Sequence, residues 1–530
     1  MEEGQILYSP MWNTNTYLIE YTKMVNNTWS SNFLPGASVW WMGDGTILRS
    51  IRVATGPGTG GTGGGVQIVE WDGTIVWDFR YSTDGKISHH DVKSLPNGNI
   101  LMIAWESKSR NEAIAAGRNP NYVGFQGLWP DHIIEVKPTG PTSGDIVWEW
   151  HVWDHLVQDY DSSKDNYGVV ADHPELVDIN YRTSSHADLM HTNSIDYNEE
   201  FDQILISVCY FNEIWIIDHS TTTEEAAGHT GGNSGKGGDL LYRWGNPAVY
   251  DAGSSNDQKL YRQHDATWID EGCPGEGNIL VFNNGANRPG THYSSVDEII
   301  PPVNEFGDYY LEEGNAYGPE SQTWIYTGNP PSSFYSDHLS GAIRLPNGNT
   351  LITHGAQGKI FEVTPFGQNV WQHNTGGQLF KAVYIPPEEP PEPEIPDLDC
   401  QGVINYVDVI GGSTVNGTFE ISNKGGPGSI LNWEIESYPD WGTWTFSNES
   451  GEDLHPEDDP ISVVLSIVTP LEGDTLFEGY IKVTNQDDAE DYDLIPVYIK
   501  TPRQKTNDMI FLKFFRNFPV ISLIMKILKI

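Results

Sequence analysis

Cysteine is almost absent: Cys209, Cys273 and Cys400 are the three in 530 residues. A set that is sparse and odd in number cannot build a disulfide framework. Positive charge is scarce too. Lys and Arg number 29 against 73 Asp and Glu, a formal net charge of −44, and such a surface repels a polyanionic backbone, so nucleic acid is excluded as a principal partner. The opening MEEGQILYSPMW lacks the basic start and apolar run of a secretory signal, which points to an intracellular protein or a truncated start. A nucleotide loop is missing as well. In GHTGGNSGKGG around Lys236, Thr230 stands where the first Walker glycine belongs and Gly237 where the Ser or Thr belongs, so the segment reads as a flexible connection.

What the chain does contain is a recurring phrase of histidine, strand, tight turn and strand. It is written SHHDVKSLPNGNILMIAWE around His90 and DHLSGAIRLPNGNTLITHG around His338. Longer turns carry it around His264 in QHDATWIDEGCPGEGNILVFNNG and around His191 in HTNSIDYNEEFDQILISV. Each phrase continues into a second pair of short Val-, Ile- and Trp-rich runs with Asn-Gly or Asp-Gly turns, the pattern of antiparallel hairpins. Four strands per repeat make a propeller blade. Five repeats lie between about Gly36 and Thr375, and the end strands around Ile19 and Val383 complete one more. The expected fold class is all-β, a six-bladed β-propeller over residues 1–385.

The Pro- and Glu-rich run at 386–399 reads as a stiff linker. About seven short strands follow in 400–502, read as an immunoglobulin-like β-sandwich without the paired cysteines. Asn26, Asn416 and Asn448 stand in N-x-S/T sequons, acceptors for glycosylation if the protein is exported. The tail at 503–530 is apolar and basic. Lys513, Arg516, Pro519, Lys526 and Lys529 argue against a clean transmembrane helix, leaving an interfacial or surface-attachment segment or a piece docked on the sandwich.

In a propeller, residues at equal phase in successive repeats form a ring round one mouth of the channel. His90 and His264 precede Leu95 and Ile269 by the same number of positions. His338 lies two residues earlier relative to Leu345, a shift that keeps a side chain on the same strand face. His191 opens its repeat in the matching place, followed by Asn193. One histidine at a strand start is ordinarily a turn or hydrogen-bonding residue; four in phase point to a site. No metal is expected there: HHD at His89–Asp91 has no partner at ligand spacing, and Arg288 after NILVFNNG repels a cation. Beside imidazoles, that guanidinium suits an oxyanion.

The phrases HHDVKSLPNGNILMIAWE, MHTNSIDYNEEFDQILIS, QHDATWI, NILVFNNG with Arg288, and HLSGAIRLPNGNTLI resemble the arylsulfate sulfotransferases that use no phosphoadenylyl cofactor, over about residues 5–385. The resemblance implies no cofactor, a phenolic sulfate donor, a phenolic acceptor and a ping-pong route through a sulfohistidine. It makes His338 the nucleophile, with His354 on LITHG as rival. His191, His264 and Arg288 would hold the sulfuryl oxygens and handle the phenolic proton, and His90, Asn193, Asn283 and His354 would line the substrate site. Cys209 stands where many relatives have histidine. The second domain and tail resemble modules of exported microbial proteins, implying an extracellular or cell-surface location. Two other readings remain: a propeller that binds a ligand without chemistry, and a quinone-dependent dehydrogenase, which the 19 tryptophans recommend and the histidine ring does not.

Overall fold

The computed structural model describes residues 3–58, 60–387 and 395–502. The tail at 503–530 and the linker residues 388–394 lie outside the described residues. The chain divides into two compact units, Met1–Pro387 and Glu388–Ile530.

In the first unit the hairpin pattern folds as all-β, propeller-like structure. Four sheets have four strands, and one of eight consists of two antiparallel halves joined by the bridge Ala37–His90. The leading strands are Leu379–Ile385, Pro35–Gly43, Lys86–Ser94, Thr192–Asn198, His264–Trp268 and Gly341–Arg344. They touch one another in cyclic order, the last returning to the first. The sheet led by Leu379–Ile385 takes its other three strands, Gln5–Pro10, Asn15–Glu20 and Val25–Ser30, from the N-terminus. Pairing the two ends of the unit in one sheet removes two exposed edges.

Turn chemistry explains the repeat. In the turns at Asn97–Gly98 and Asn347–Gly348 the Asn side chain accepts the N–H two residues on, at 2.9 and 2.8 Å. The glycines take φ of 81° and 82°, which a side chain would strain.

The tryptophans stitch neighbouring sheets together. The indole N–H of Trp29 donates to Glu70 O, Trp77 to Ser143 O, Trp148 to Thr221 Oγ1, Trp244 to Pro319 O and Trp324 to Pro365 O, at 2.8–3.1 Å. Trp371 donates to Tyr21 O at 2.7 Å and closes the circuit between the two ends of the unit. Each of the six lies on the outermost strand of its sheet, so each seam pairs a large apolar burial with a satisfied donor. This gives part of the tryptophan content a structural purpose that requires no quinone.

The second unit is two sheets of four and five strands around one core that includes Phe419, Ile421, Trp433, Leu465, Ile481 and Val497. Its nine strands among the described residues exceed the expected seven or so. The strand Leu398–Gln401 begins inside the stretch read as linker, and Ser450–Leu454 buries only Leu454, leaving no apolar alternation to recognise. The sequon residues Asn26, Asn416 and Asn448 are exposed.

Candidate active site

The leading strands do not run straight past the ring. Pairing shifts register between Ser88 and Val92, between Thr192 and Ser194, and between His264 and Thr267. Left-handed backbone sits at or beside these places, with φ of 53° at His90, 56° at His191 and 53° at Asp265, and also at Leu339 before the strand Gly341–Arg344, with φ of 58°. A bulge re-aims side chains out of the pleat, and here it brings histidines from different sheets together. The rings of His90 and His191 lie 4.6 Å apart. His264 is within electrostatic reach of His191 and His338. Phe380, fully buried on the closing sheet, has its ring 6.2 Å from His90 and 6.4 Å from His264.

Each ring is oriented through Nδ1. His264 Nδ1 donates to Asn284 Oδ1 at 2.7 Å, and the direction is fixed because the Asn284 amide nitrogen donates to Ser336 O and Leu339 O. His191 Nδ1 lies 2.6 Å from Asp188 Oδ2, and His338 Nδ1 lies 2.6 Å from Asp337 Oδ1. His90 Nδ1 faces His89 Nδ1 at 2.8 Å, and His89 Nε2 lies 3.3 Å from Asp131 Oδ1. With Nδ1–H given to the Asn284, Asp188 and Asp337 oxygens, His264, His191 and His338 keep the Nε2 lone pair, the one that attacks or takes a proton.

Burial grades the set. His90, His191 and His264 are buried, whereas the His338 side chain is 47% exposed. Desolvation drives His264 down to about 3. Desolvation, reinforced by His191, His89 and His264, holds His90 well below the usual imidazole value. Both rings are neutral near pH 7. His338 Nε2 receives only the Gln378 amide, at 3.3 Å, a weak contact that a substrate can displace.

Glycine 61 packs on this site. Its carbonyl accepts the His90 N–H at 2.7 Å, and a Cβ there would stand 1.9 Å from the His90 ring. The glycine-rich loop before Val66 thus supports His90 and leaves no room for a side chain.

Below the histidines a charged pin crosses the ring. Lys381 Nζ bonds Asp91 Oδ2 at 2.7 Å and Asp265 Oδ1 at 3.0 Å and lies over Trp40. Burial alone would neutralise the lysine; the carboxylates of Asp265 and Asp91 outweigh it and keep the ammonium charged.

Several expected site residues are elsewhere. Asn283 spends its amide on Tyr261 N, Lys259 O and Asp297 Oδ2, a structural set that leaves nothing for a substrate. His354 ends the second strand of its sheet with its ring against Phe334, one strand out from the ring of leading strands. Asn193 gives Nδ2 to Gln263 O and keeps a buried Oδ1 without a partner among the described residues. Arg288 lies over Tyr261 and Tyr293, with only long bonds of 3.4 Å to Tyr293 Oη and Ser295 Oγ and a buried Nε without a partner. No contact between Arg288 and the four histidines is recorded among the described residues.

Two other guanidinium groups are tied to the cluster through Tyr210. Tyr210 stacks on His191 at 4.6 Å, and Arg182 and Arg262 lie 4.0 and 4.2 Å from the Tyr210 ring. Arg262 hydrogen-bonds Tyr210 and Cys209, which puts Cys209 at the edge of this group. Burial pushes the Cys209 thiol up to about 11. Two cavities, of about 700 Å³ near Trp244 and Tyr317 and about 350 Å³ near Trp40 and Lys381, include none of the four histidines among their lining residues.

A propeller-like ring with convergent imidazoles and nearby arginines suits transfer of an anionic group. The profile of the family described as Arylsulfotransferase (ASST) matches residues 41–379, and the chain belongs to that family. The family's general chemistry is sulfuryl transfer from an aryl sulfate to a phenol. Among curated proteins no match to the sequence is found. Similar solved structures include a protein of unknown function from Bacteroides caccae, with 14% identity over 72% of this chain and 99% of that one and a TM-score of 0.40. AztD from Citrobacter koseri has 9% identity over 73% and 98%, with a TM-score of 0.34. A streptogramin B lyase has 10% identity over 71% and 80%, with a TM-score of 0.32.

Proposed function

We propose that this protein transfers a sulfuryl group between phenols by a ping-pong route, with His338 as nucleophile. The observation that carries the reading is the common orientation of His191, His264 and His338, each with Nδ1 on an acceptor oxygen and the Nε2 lone pair kept. His338 is the exposed member, so a donor reaches it first. Its Nε2 lone pair attacks sulfur, the bond from sulfur to the phenolic oxygen breaks, and the donor leaves as phenolate, protonated by solvent. The positive charge gained by the ring faces the Asp337 carboxylate.

In the return step His264, neutral at working pH, or His191, backed by Asp188, takes the proton of the acceptor phenol. The phenol oxygen attacks sulfur and the N–S bond breaks, restoring His338. The net change is one aryl sulfate and one phenol exchanged for another pair, with no external reactant. By analogy with phosphoryl transfer the transition state is loose, with charge on the sulfuryl oxygens, so placed donors matter most. Arg288 has under-used donors and Arg262 borders the cluster, which suits both to that duty. An extracellular or cell-surface location accords with the exposed sequons and is part of the same proposal.

The test is transfer from a chromogenic aryl sulfate to phenol by the wild type, His338→Asn and His354→Asn. The reading requires loss of transfer in His338→Asn and its retention in His354→Asn. Retention in both would remove either histidine as the nucleophile, and absence of transfer in the wild type would return the protein to a ligand-binding role.

A further inference from the structure

A second polar constellation lies on the glycine-rich connection that the sulfuryl chemistry leaves unused. His155 Nδ1 and His229 Nδ1 both approach Asp239 Oδ1, each at 2.8 Å. The ligand-capable atoms of the three lie within 4.8 Å of one another. They share no residue with the histidine cluster. In sequence the two histidines stand 84 and 10 residues before Asp239, which is why no metal spacing is legible and why no metal was expected from the sequence.

Proton bookkeeping singles out His155. Its Nε2 lies 2.8 Å from the carbonyl oxygen of Ala226, and a carbonyl only accepts, so Nε2 carries the hydrogen. A neutral ring then turns the Nδ1 lone pair toward a carboxylate oxygen. The His155 side chain is 0% exposed and that of Asp239 is 9% exposed. His229 brings a second nitrogen to the same point from the exposed side. A histidine that gives its far N–H to a backbone carbonyl while its near nitrogen meets a carboxylate and a second imidazole has the arrangement of a metal ligand.

We propose that His155 Nδ1, His229 Nδ1 and the Asp239 carboxylate bind a zinc ion, with water in the fourth position. Imidazole and carboxylate donors suit Zn²⁺, and at bonds of about 2.0–2.1 Å the tetrahedral edge is roughly 3.3 Å, so each ring has to withdraw by only about 0.5 Å. The ion clamps the loop of residues 228–238 against the strand Ser143–His151, which carries Trp150. The Trp150 N–H donates to Gly238 O at 2.7 Å, the Trp150 ring stacks on His155, and a Cβ at Gly238 would meet Ala226 O and His155 Nε2. The backbone is therefore already pressed onto the ligand, and the exposed His229 completes the set.

The experiment uses the full chain. Protein stripped with a chelator and dialysed is titrated with Zn²⁺ and, separately, with Co²⁺, whose visible d–d absorption reports tetrahedral coordination. The expected result is one equivalent bound, a d–d spectrum, and a rise in melting temperature with Zn²⁺. His229→Ala, an exposed change that leaves the fold intact, should weaken Zn²⁺ binding by about 10²-fold or more, abolish the spectrum and leave the metal-free melting temperature unchanged. Absence of stoichiometric binding in the wild type, or a Co²⁺ spectrum unaffected by His229→Ala, overturns the site. Because Asp239 and both histidines lie outside the sulfuryl cluster, the outcome is independent of the transfer assay.

Discussion

Asn284 holds His264 by a single amide whose other end is tied to the backbone beside His338. The 2.7 Å bond from His264 Nδ1 to Asn284 Oδ1 fixes the tautomer, and the bond from Asn284 Nδ2 to Leu339 O fixes the chain next to the nucleophile. Removing the amide therefore disturbs two rings at once. Asn284→Ala is expected to lower kcat/KM by about 10²-fold. Asn284→Asp places a carboxylate on His264 and raises it from about 3, so the acid limb of the pH profile should move to higher pH. A rate profile from pH 4 to 9 checks both.

Arg262 and Arg288 are the guanidinium groups assigned to the sulfuryl oxygens. Loss of one preplaced donor costs about 10²–10³ in rate, so Arg262→Gln and Arg288→Gln should each lower kcat by that order. KM should change less. Steady-state kinetics with one donor and a varied acceptor separates the two; an unchanged kcat in Arg262→Gln removes it from the site.

The histidine convergence was legible in phase, but its supports were not. The phrase PNGN marks equivalent turns because Asn97 and Asn347 make the same local bond, and that periodicity suffices to expect antiparallel four-stranded repeats. Asp188 and Asn284, by contrast, sit in connections of different length that repeat nowhere. Arg182 and Arg262 reach the cluster through Tyr210, a contact no spacing encodes. Asn283, which the resemblance assigned to the substrate site, stands beside Asn284, and adjacent positions on an extended chain face opposite ways: Asn284 holds His264 and Asn283 holds the loop at Lys259.

Lys381 pins three sheets through Asp91 and Asp265. Removing the ammonium leaves two buried carboxylates without a cation, and breaking a buried pair this way costs about 3–5 kcal/mol. Lys381→Met is expected to lower the urea midpoint accordingly. A loss below about 1 kcal/mol would show that the carboxylates take up protons without structural cost.

Stability should also fall on the alkaline side. Burial pulls His151 down, but hydrogen bonds and charge from Glu106 and Glu149 outweigh it and raise the ring to about 9. A raised histidine contributes fully below its ordinary value near 6.5, and the contribution is lost as pH rises through about 9. Denaturant unfolding should show a decline of about 1–3 kcal/mol between pH 6.5 and 9.5, reduced in His151→Gln.

The most direct measurement is the intact mass of the protein mixed with an aryl sulfate in the absence of acceptor. The account predicts a burst of phenol matched by one added sulfuryl group per chain, mapped to His338, absent from His338→Asn and discharged by added phenol. Sulfuryl transfer to phenol without any adduct, or an adduct that persists in His338→Asn, would contradict it.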